Sequence, residues 1–369
     1  MTSQPYTFYG WELSLYSGKL RSYLKHKGVP YLEKPPNLWT FFVTAPRKVQ
    51  AQVMPFIITP DGQAVGDTSD IIDHMEAWHP TPSVVPATPV QRFMAYLFEL
   101  WGDEFWLPVA MHMRWNHPEN LSLFVHDAGT QALPGFPKLL QKAIGKHMAG
   151  MMDAHRPRLG IVKPEDLALM DKWAGDHLDA LDQHFALHPF LFGERPSLGD
   201  YGLMGPLYAH LGRDPWPLKN LIEPRRHLHA WIKRMNQPLR NAGDFLADDA
   251  LAPTLDAAVR SIFDEMTPQL EGIVSELNAF ARKRPKAALA DRFLGEVSFP
   301  YADGTHHRLG MTYGLWMAQR ALQVLAAMPP TDAKAVRDWV EARGGKRFLD
   351  LKIPALRRVG LSVMLEASK

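Results

Sequence analysis

Residues 53–76, VMPFIITPDGQAVGDTSDIIDHME, constrain the fold of this chain more than any other stretch. The apolar residues 56–58 precede a Pro-Asp-Gly turn at 60–62, a pattern typical of two paired strands. Small polar residues at 67–69 then offer N-caps to a helix with apolar residues at helical spacing. The segment therefore predicts a strand, a tight turn, a second strand and a helix in succession.

The same segment has two features that suit a small acidic peptide as ligand. A helix N-terminus presents backbone N–H groups that hold a carboxylate well. The edge of the strand entered before Pro55 can pair with the backbone of a peptide. We therefore expect this segment to bind both an amide and a carboxylate of one ligand.

Composition excludes several classes of function. A length of 369 residues predicts two or three units, and the 46% apolar and 22% charged residues are typical of a soluble globular protein. The net charge of +2 implies no general attraction to nucleic acid or membrane. The absence of cysteine excludes disulfides, thiolate ligands and a cysteine nucleophile. Since no secretion signal or membrane span is recognisable, we expect a cytoplasmic protein.

The first eighty residues predict a small α/β unit. Residues 6–9 and 31–33 are predicted strands, and the helix between them is expected to begin at Ser17 as its N-cap. A weak helix or an irregular region over 47–52 leads to the segment 53–76. The predicted order is β-α-β-(α)-β-β-α.

Beyond this unit the sequence predicts helices. Residues 78–89 contain four prolines and are a plausible linker. Helical periodicity follows over 91–113 and 165–186, and Ser-Leu-Gly-Asp at 197–200 resembles a capping box. A further short helix is predicted over 227–235. The second unit is therefore expected to be all-helical.

The last 120 or so residues have a pattern of their own. Residues 255–280 and 313–328 predict helices, whereas FPYADGTH at 299–306 predicts a hairpin or turn. We divide the chain into residues 1–79, 88–249 and a mostly helical extension over 250–369 without a known motif.

Three stretches of the chain resemble, in order and spacing, the glutathione S-transferase family, and the chain resembles a serine-type or related bacterial-like member with a long C-terminal extension. FYGWELSLYSGKLRSYLKHKGVPY from Phe8 looks like the family's first strand, catalytic loop and first helix. MPFIITPDGQAVGDTSDIIDHME looks like its cis-proline strand, hairpin and third helix. PFLFGERPSLGDYGLMGPLYAHL from Pro189 resembles its second-domain signature.

This resemblance implies a fold and an activity. The fold is α/β plus all-α: a thioredoxin-like, glutathione-binding domain is followed by an all-helical domain, here with a C-terminal extension. The implied function is that of a transferase which activates the glutathione thiolate against a small hydrophobic electrophile, as in detoxification. Glutathione is the co-substrate, no metal is required, and family members are commonly homodimers.

The resemblance also assigns residues to the ends of glutathione. Asp67 would pair with the γ-glutamyl amine, and Thr68 would donate to its carboxylate at the helix N-terminus. The Met54–Pro55 bond would be cis, so that Met54 presents its backbone N–H and C=O to the cysteinyl part. From the residues alone, plain helix capping by Asp67 and Thr68 and a trans proline are the alternatives.

Cationic and amide side chains near this segment are candidates to bind the glycyl carboxylate of glutathione. Lys48 is the cation chosen for this role, and Arg47, Gln50 and Gln52 are its neighbours in sequence. A solvated surface side chain is the alternative interpretation for each of them.

The implied reaction needs a thiolate, and the loop after the first strand offers hydroxyl groups that stabilise one. A free thiol has a pKa of about 8.5, and lowering it by about two units takes roughly 2.7 kcal/mol. Ser14, Tyr16 and Ser17 are the candidates, of which Ser14 aligns with the serine of the serine-type transferases. Tyr9 is a weaker candidate, and Ser17 has helix capping as its alternative role.

Aromatic residues after the linker are candidates for the acceptor site, which is expected between the two domains. At helical spacing such residues are more commonly core. They are Trp101, Phe105, Trp106, Met111 and Trp115. Asp103 is a candidate partner for the γ-glutamyl amine.

Histidine spacing and the tail leave two further questions. His112, His117 and His126 lack the one-turn spacing of a helical metal pair, so no metal site is predicted. The long tail favours one alternative function, a non-catalytic relative that uses this fold to bind glutathione, a hydrophobic ligand or a protein.

Overall fold

The computed structural model of the protein describes residues 4–239, 241–284, 290–360 and 362–366. Parts of the predicted N-terminal segment and of the predicted extension lie outside these ranges. Spatial contacts divide the chain into two compact units. The first comprises Met1–Val84, Ala110–Arg156 and Leu203–Ala242, and the second comprises Val85–Val109, Pro157–Gly202 and Gly243–Lys369. The division at 79, 88 and 249 follows from sequence alone and stays a prediction.

The elements of the described residues follow here in chain order. The strands are β1 (Tyr6–Tyr9), β2 (Tyr31–Lys34), β3 (Phe56–Ile58), β4 (Ala64–Gly66), β5 (Phe293–Tyr301), β6 (Gly304–Met311), β7 (Leu356–Val359) and β8 (Ser362–Leu365). The helices are α1 (Leu15–Lys27), α2 (Ala45–Val49), α3 (Thr68–Trp78), α4 (Pro89–Leu100), α5 (Leu107–Trp115), α6 (Leu121–Ala132), α7 (Lys138–Asp153), α8 (Pro164–Leu187), α9 (Leu198–Pro206), α10 (Pro215–Pro217), α11 (Arg226–Met235), α12 (Asp256–Arg260), α13 (Thr267–Lys283), α14 (Thr312–Ala326), α15 (Pro330–Glu341) and α16 (Lys346–Leu349). Single π-helical turns include Thr40–Thr44, Trp101–Phe105 and Ser261–Met266.

The first unit contains a four-stranded sheet in the order β2-β1-β3-β4. β1 pairs with β2 in parallel and with β3 antiparallel, and β3 pairs antiparallel with β4. This arrangement and the flanking α1 and α3 confirm the predicted thioredoxin-like α/β order. The sheet buries Phe8, Phe56 and Ile57 completely against the helices.

The start of α1 differs from its prediction. The N-cap is Ser14, whose Oγ accepts a hydrogen bond from the Ser17 N–H at 3.3 Å. Ser17 therefore lies inside the first turn, and the prediction that it caps the helix is wrong. Two serines three residues apart both fit a capping pattern, and only the observed extended backbone at Ser14 distinguishes them. The predicted end is confirmed, because Gly28 adopts φ 68° and donates its N–H to Leu24 O.

Helices α6 and α7 pack backbone to backbone in the first unit. A Cβ on Gly129 would lie 2.0 Å from Gln141 O, and one on Gly145 would lie 2.1 Å from Val125 O. Only glycine permits this approach. The contact buries Phe124, Val125, Met148 and Ala149 in one apolar cluster with Leu13.

The second unit begins with a helix that is shorter than predicted. The periodicity over 91–113 is interrupted, since α4 ends at Leu100 and a π-helical turn precedes α5. Pro108 has no N–H to donate to the preceding turn, so a continuous helix is not maintained there. The periodicity of apolar residues carries no information about this missing donor. The predicted helix start at 197–200 is confirmed. Asp200 accepts hydrogen bonds from the Ser197 N–H and Oγ, both at 2.8 Å, and from the Leu191 N–H at 3.0 Å.

The described C-terminal residues include four strands as well as helices. The sequence-based expectation of a mostly helical extension therefore underestimated its strand content. The predicted hairpin is confirmed as β5 and β6, and its turn residue Ala302 has φ 53°. A second pair, β7 and β8, was not predicted, because its short strands carry no regular alternation. Within the described residues no helix is both long and apolar enough to span a bilayer.

Side chains from the C-terminal residues complete the core of the second unit. Trp101 Nε1 donates to Ser261 Oγ at 3.0 Å, and Trp173 Nε1 donates to Glu265 Oε2 at 2.7 Å. Burial raises the pKa of the Glu265 carboxyl, although hydrogen bonds from Ser261, Trp173 and the Ala302 backbone oppose the shift. The tail is therefore part of this unit's core and not a separate appendage.

An ion pair between α4 and α14 joins the tail to this core. Arg320 Nη1 lies 2.7 Å from Glu99 Oε2, and the Glu99 side chain is fully buried. We expect Glu99→Leu to lower the free energy of unfolding by about 3–5 kcal/mol, because it leaves a buried cation without its carboxylate. Adding Arg320→Met should restore most of the loss. Denaturant titration of both variants checks this, and equal stability of single and double variants would contradict it.

Acid should destabilise the protein through buried histidines. Burial lowers the pKa of His26, His177, His184 and His306 from 6.5 to about 4. The unfolded chain then binds more protons than the folded chain between about pH 4 and 6.5. The free energy of unfolding should therefore fall as the pH falls through this window, measured by thermal melts at several pH values. In His184→Gln the dependence should be shallower, and an unchanged slope would contradict the assignment.

Candidate functional site

The three segments assigned to glutathione meet at one end of the sheet. Tyr9 at the end of β1 pairs with Phe56 at the start of β3, and Phe56 pairs with Gly66 at the end of β4. Met54 therefore precedes this end, Asp67 follows it, and the loop to Ser14 leaves from it. The Met54–Pro55 bond is cis, as predicted.

Ser14 is the hydroxyl best placed to act at this end. It is partly buried at the N-terminus of the 13-residue helix α1. Because its Oγ accepts the hydrogen bond from Ser17 N–H, its own O–H can donate outward. A donor at the positive end of a helix dipole favours an anion beside it.

The other candidate hydroxyls have different surroundings. Ser17 is fully buried, and its Oγ accepts from the Trp11 N–H at 3.1 Å. Tyr16 is partly buried in the first turn of α1. The Tyr9 ring stacks on Phe56 with ring centroids 4.6 Å apart. Ser17 thus holds the loop through Trp11, whereas Ser14 is partly buried and, among the residues that the structure describes, its side chain bonds only to the first turn of α1.

Several contacts fix the loop between β1 and α1. Trp11 Nε1 donates to Pro36 O at 2.7 Å, and its ring stacks on Phe41 at 5.2 Å. Glu12 lies 3.3 Å from Arg21 Nη2, which also pairs with Glu33. Burial alone would lower the pKa of Arg21, but these carboxylates raise it above its ordinary value. Arg21, in α1, therefore ties Glu12 of this loop to the helix.

Arg114, in α5, holds the loop from another side. Its buried guanidinium donates to Leu13 O at 2.7 Å, to Ala209 O at 2.6 Å and to both oxygens of Asp214 at 2.7 and 3.1 Å. Sequence reasoning missed this residue, because one arginine in a helix carries no signal of its partners. Arg114 fixes the carbonyl directly before Ser14.

Asp67 combines a helix cap with an unusual backbone conformation. It is the N-cap of α3, and its Oδ1 accepts from the Ser69 N–H at 2.9 Å. Its φ of 73° is costly for a residue with a side chain, by about 1–3 kcal/mol. Thr68 is the first residue of the helix and is 3% exposed. Capping by Asp67 is thus observed, and backbone strain of this kind is common at ligand sites.

Lys48 lies on the short helix beside the end of β4. Its neighbour Val49 packs on Gly66, where an added Cβ would approach the Val49 Cβ to 2.9 Å. Lys48 and Arg47 are both exposed, and so are Gln50 and Gln52. Two cations are therefore available near the segment that leads to Asp67.

Most of the aromatic residues proposed for the acceptor site are core residues. Trp101, Phe105 and Trp106 are at most 2% exposed, and they pack with Trp173 in the second unit. Trp115 differs, because it is partly buried against the cluster that contains Leu13. Trp11 and Leu38 pack on the same cluster. Apolar side chains therefore surround the loop that carries Ser14.

The histidines of the 112–126 region show no metal geometry. The rings of His112 and His117 are 5.7 Å apart, and His112 Nδ1 bonds to Asn116 Nδ2. Among the residues that the structure describes, no group of three His, Cys, Asp or Glu residues is arranged to hold a metal ion.

Two family models match the chain. The model described as "Glutathione S-transferase, N-terminal domain" matches residues 8–83, and "Glutathione S-transferase, C-terminal domain" matches residues 174–234. The first contains all the segments that meet at the end of the sheet. The second contains the Ser197–Asp200 capping box. A comparison with curated proteins finds no match.

Solved structures with a similar fold include three bacterial proteins. A glutathione S-transferase from Rhodospirillum rubrum F11 is 16% identical with a TM-score of 0.40, covering 68% of this chain and 99% of that one. The β-etherase LigF from Sphingobium sp. strain SYK-6 is 17% identical with a TM-score of 0.46, covering 63% and 95%. FzlA from C. crescentus is 16% identical with a TM-score of 0.40, covering 68% and 97%.

The assignment to a family rests on the family models and not on these distant structures. The two models match in the order that the family has, and the first covers most of the sheet, the cis-proline and the N-terminus of α3. Residues 8–83 and 174–234 are the N-terminal and C-terminal domains of the glutathione S-transferase family.

Proposed function

We propose that this protein binds glutathione at the end of the sheet and activates its thiol for attack on a small hydrophobic electrophile. The observation that supports the proposal is the strand register, in which Tyr9, Phe56 and Gly66 lie side by side at that end of the sheet. The loop to Ser14, Met54 and Asp67 continue from these three residues. The site offers a hydroxyl donor, the backbone of Met54 just before β3 and a helix N-terminus, and glutathione has a thiol, amides and carboxylates to match them.

Each end of glutathione has a proposed partner. The expectation of an edge strand after Pro55 is wrong, because β3 lies between β1 and β4. Met54 precedes β3, outside the paired residues, and its backbone is the proposed partner of the cysteinyl amide. Thr68 donates to the γ-glutamyl carboxylate, and Asp67 pairs with the adjacent amine. Lys48 is the proposed cation for the glycyl carboxylate, with Arg47 beside it.

Ser14 is the proposed donor to the glutathione sulfur. Its O–H stabilises the thiolate, and the α1 dipole adds to the effect. The thiol proton leaves to solvent, the sulfur forms a bond to the electrophilic carbon, and a leaving group departs with the bonding electron pair. Ser17 and Tyr16 rank below Ser14, since Ser17 is fully buried and engaged with Trp11.

The proposed acceptor is small and hydrophobic. The partly buried Trp11, Leu38 and Trp115 pack on the apolar cluster of α6 and α7 together with Leu13. Leu13 directly precedes Ser14, so a molecule near the sulfur meets apolar side chains. Detoxification, a cytoplasmic location and a homodimer belong to the same proposal, and sedimentation in solution tests the last.

Removing the Ser14 hydroxyl should shift the pH dependence of turnover. A hydrogen bond to a charged group contributes about 1.5–3 kcal/mol, so Ser14→Ala should raise the pKa of bound glutathione by about one to two units. Turnover of a chromogenic electrophile should fall by about 10–100-fold near neutral pH and recover as the pH rises.

Ser14→Thr is the matched control, since it keeps both the hydroxyl and the N-cap. Its profile should resemble that of the unmodified protein. An Ala variant with an unchanged pH–rate profile would remove Ser14 from this role.

Binding of the γ-glutamyl end can be tested without disrupting α3. Asp67→Asn keeps a capping side chain but removes the charge, and should weaken glutathione binding by about 1.5–3 kcal/mol in calorimetry. An analogue without the γ-glutamyl amine should bind both forms equally. Asp70→Asn removes the same charge from the same turn and should leave affinity intact. Equal effects of the two substitutions would contradict the proposed amine contact.

Binding and catalysis are separate outcomes. Glutathione binding with turnover of any member of an electrophile panel supports the enzyme. Binding without turnover over a broad panel would favour the non-catalytic alternative. Absence of glutathione binding would reject the enzyme and leave only a relative that binds a hydrophobic ligand or a protein.

A further inference from the structure

The turn between α6 and α7 and the outer side of α7 form a surface that the proposed function does not use. Residues 128–152 contain Lys138, Lys142 and Lys146 and no aspartate or glutamate. The whole chain has a net charge of only +2. These residues carry a local net charge of +3, and the flanking Asp127 and Asp153 are paired with Arg213 and Arg156.

Large apolar side chains share this surface with the lysines. Leu139 is 83% exposed, Phe136 53% and Leu140 52%. Met151 and Met152 at the other end of α7 are also exposed. Exposed apolar groups of this size in one continuous stretch usually mark an interaction site.

The geometry of α7 separates a buried side from this exposed one. Gly145, Met148 and Ala149 are buried against α6. The three lysines follow one another at four-residue spacing and so lie along one flank of the exposed side. Leu139 lies next to that flank, at the first turn of the helix. We call Phe136, Leu139, Leu140 and the three lysines the basic apolar face.

We propose that the basic apolar face binds an anionic lipid surface. Phe136 and Leu139 would enter the boundary between headgroups and acyl chains, while the lysines contact the lipid phosphates. An exposed apolar side flanked by lysines is the composition of helices that lie in a membrane interface. Each lysine near an anionic membrane raises binding about fivefold. The low net charge of the whole chain does not oppose such local attraction.

A second copy of the chain fits this face less well. Symmetric pairing places the same patch on both subunits, so lysines would face lysines. No acidic residue lies within 128–152 to neutralise them. Nucleic acid would match the charge but leaves Leu139 and Phe136 without an apolar partner.

Vesicle sedimentation with the full chain tests the proposal. The protein should pellet with vesicles of phosphatidylcholine mixed with phosphatidylserine, and high salt should release it. Vesicles of phosphatidylcholine alone should bind weakly. Replacing Lys138, Lys142 and Lys146 by Gln should lower the partition coefficient about 100-fold. The pair Phe136→Ser and Leu139→Ser should lower it at least about tenfold.

Matched controls separate this face from general effects. Lys172→Gln, Lys334→Gln and Lys352→Gln together remove the same charge from other exposed positions. Trp78→Ser removes a side chain that is 69% exposed elsewhere in the first unit. Both controls should bind vesicles as the unmodified protein does, and thermal melts should show that every variant is folded.

Three outcomes would overturn the proposal. They are absence of binding to the mixed vesicles, equal losses in the control variants, and self-association that Leu139→Ser abolishes while lipid binding stays absent. The last would assign the face to a second copy.

Discussion

The candidate site depends on one buried guanidinium. Arg114 binds the carbonyl of Leu13, the carbonyl of Ala209 and both oxygens of Asp214. Burying a cation is costly unless its N–H donors have acceptors. Arg114 therefore needs both the Leu13 carbonyl, which the loop conformation positions, and the negative charge of Asp214. Ser14 directly follows the residue that Arg114 holds. The position of the proposed catalytic hydroxyl is therefore set by a residue a hundred positions away in sequence.

Local chemistry explains which parts of the fold were predictable. The strands of the first unit, the turn at 60–62 and the caps at Gly28 and Asp200 follow from short-range patterns, and the structure confirms them. The cis bond before Pro55 came from the family resemblance, since sequence alone favours trans.

The sequence-based predictions failed, or missed a residue, where the structure depends on contacts between residues distant in sequence. Ser14 and Ser17 are equivalent as capping residues in sequence, and the backbone at Ser14 settles which one caps. The partners of Arg114 and of Glu99 are more than ninety residues away, so no local pattern announces them. The aromatic residues 101–106 fit both a pocket and a core, and contacts with Trp173 make them core. The roles of the site residues toward glutathione stay predictions.

The backbone of Asp67 has a consequence for how this position tolerates change. Its φ of 73° suits glycine better than any other residue, and asparagine better than most. Its side chain also caps α3, which glycine does less well. Glycine would relieve the backbone, and asparagine would keep the cap. The negative charge is therefore the property that aspartate adds at this position beyond what either of those residues could supply.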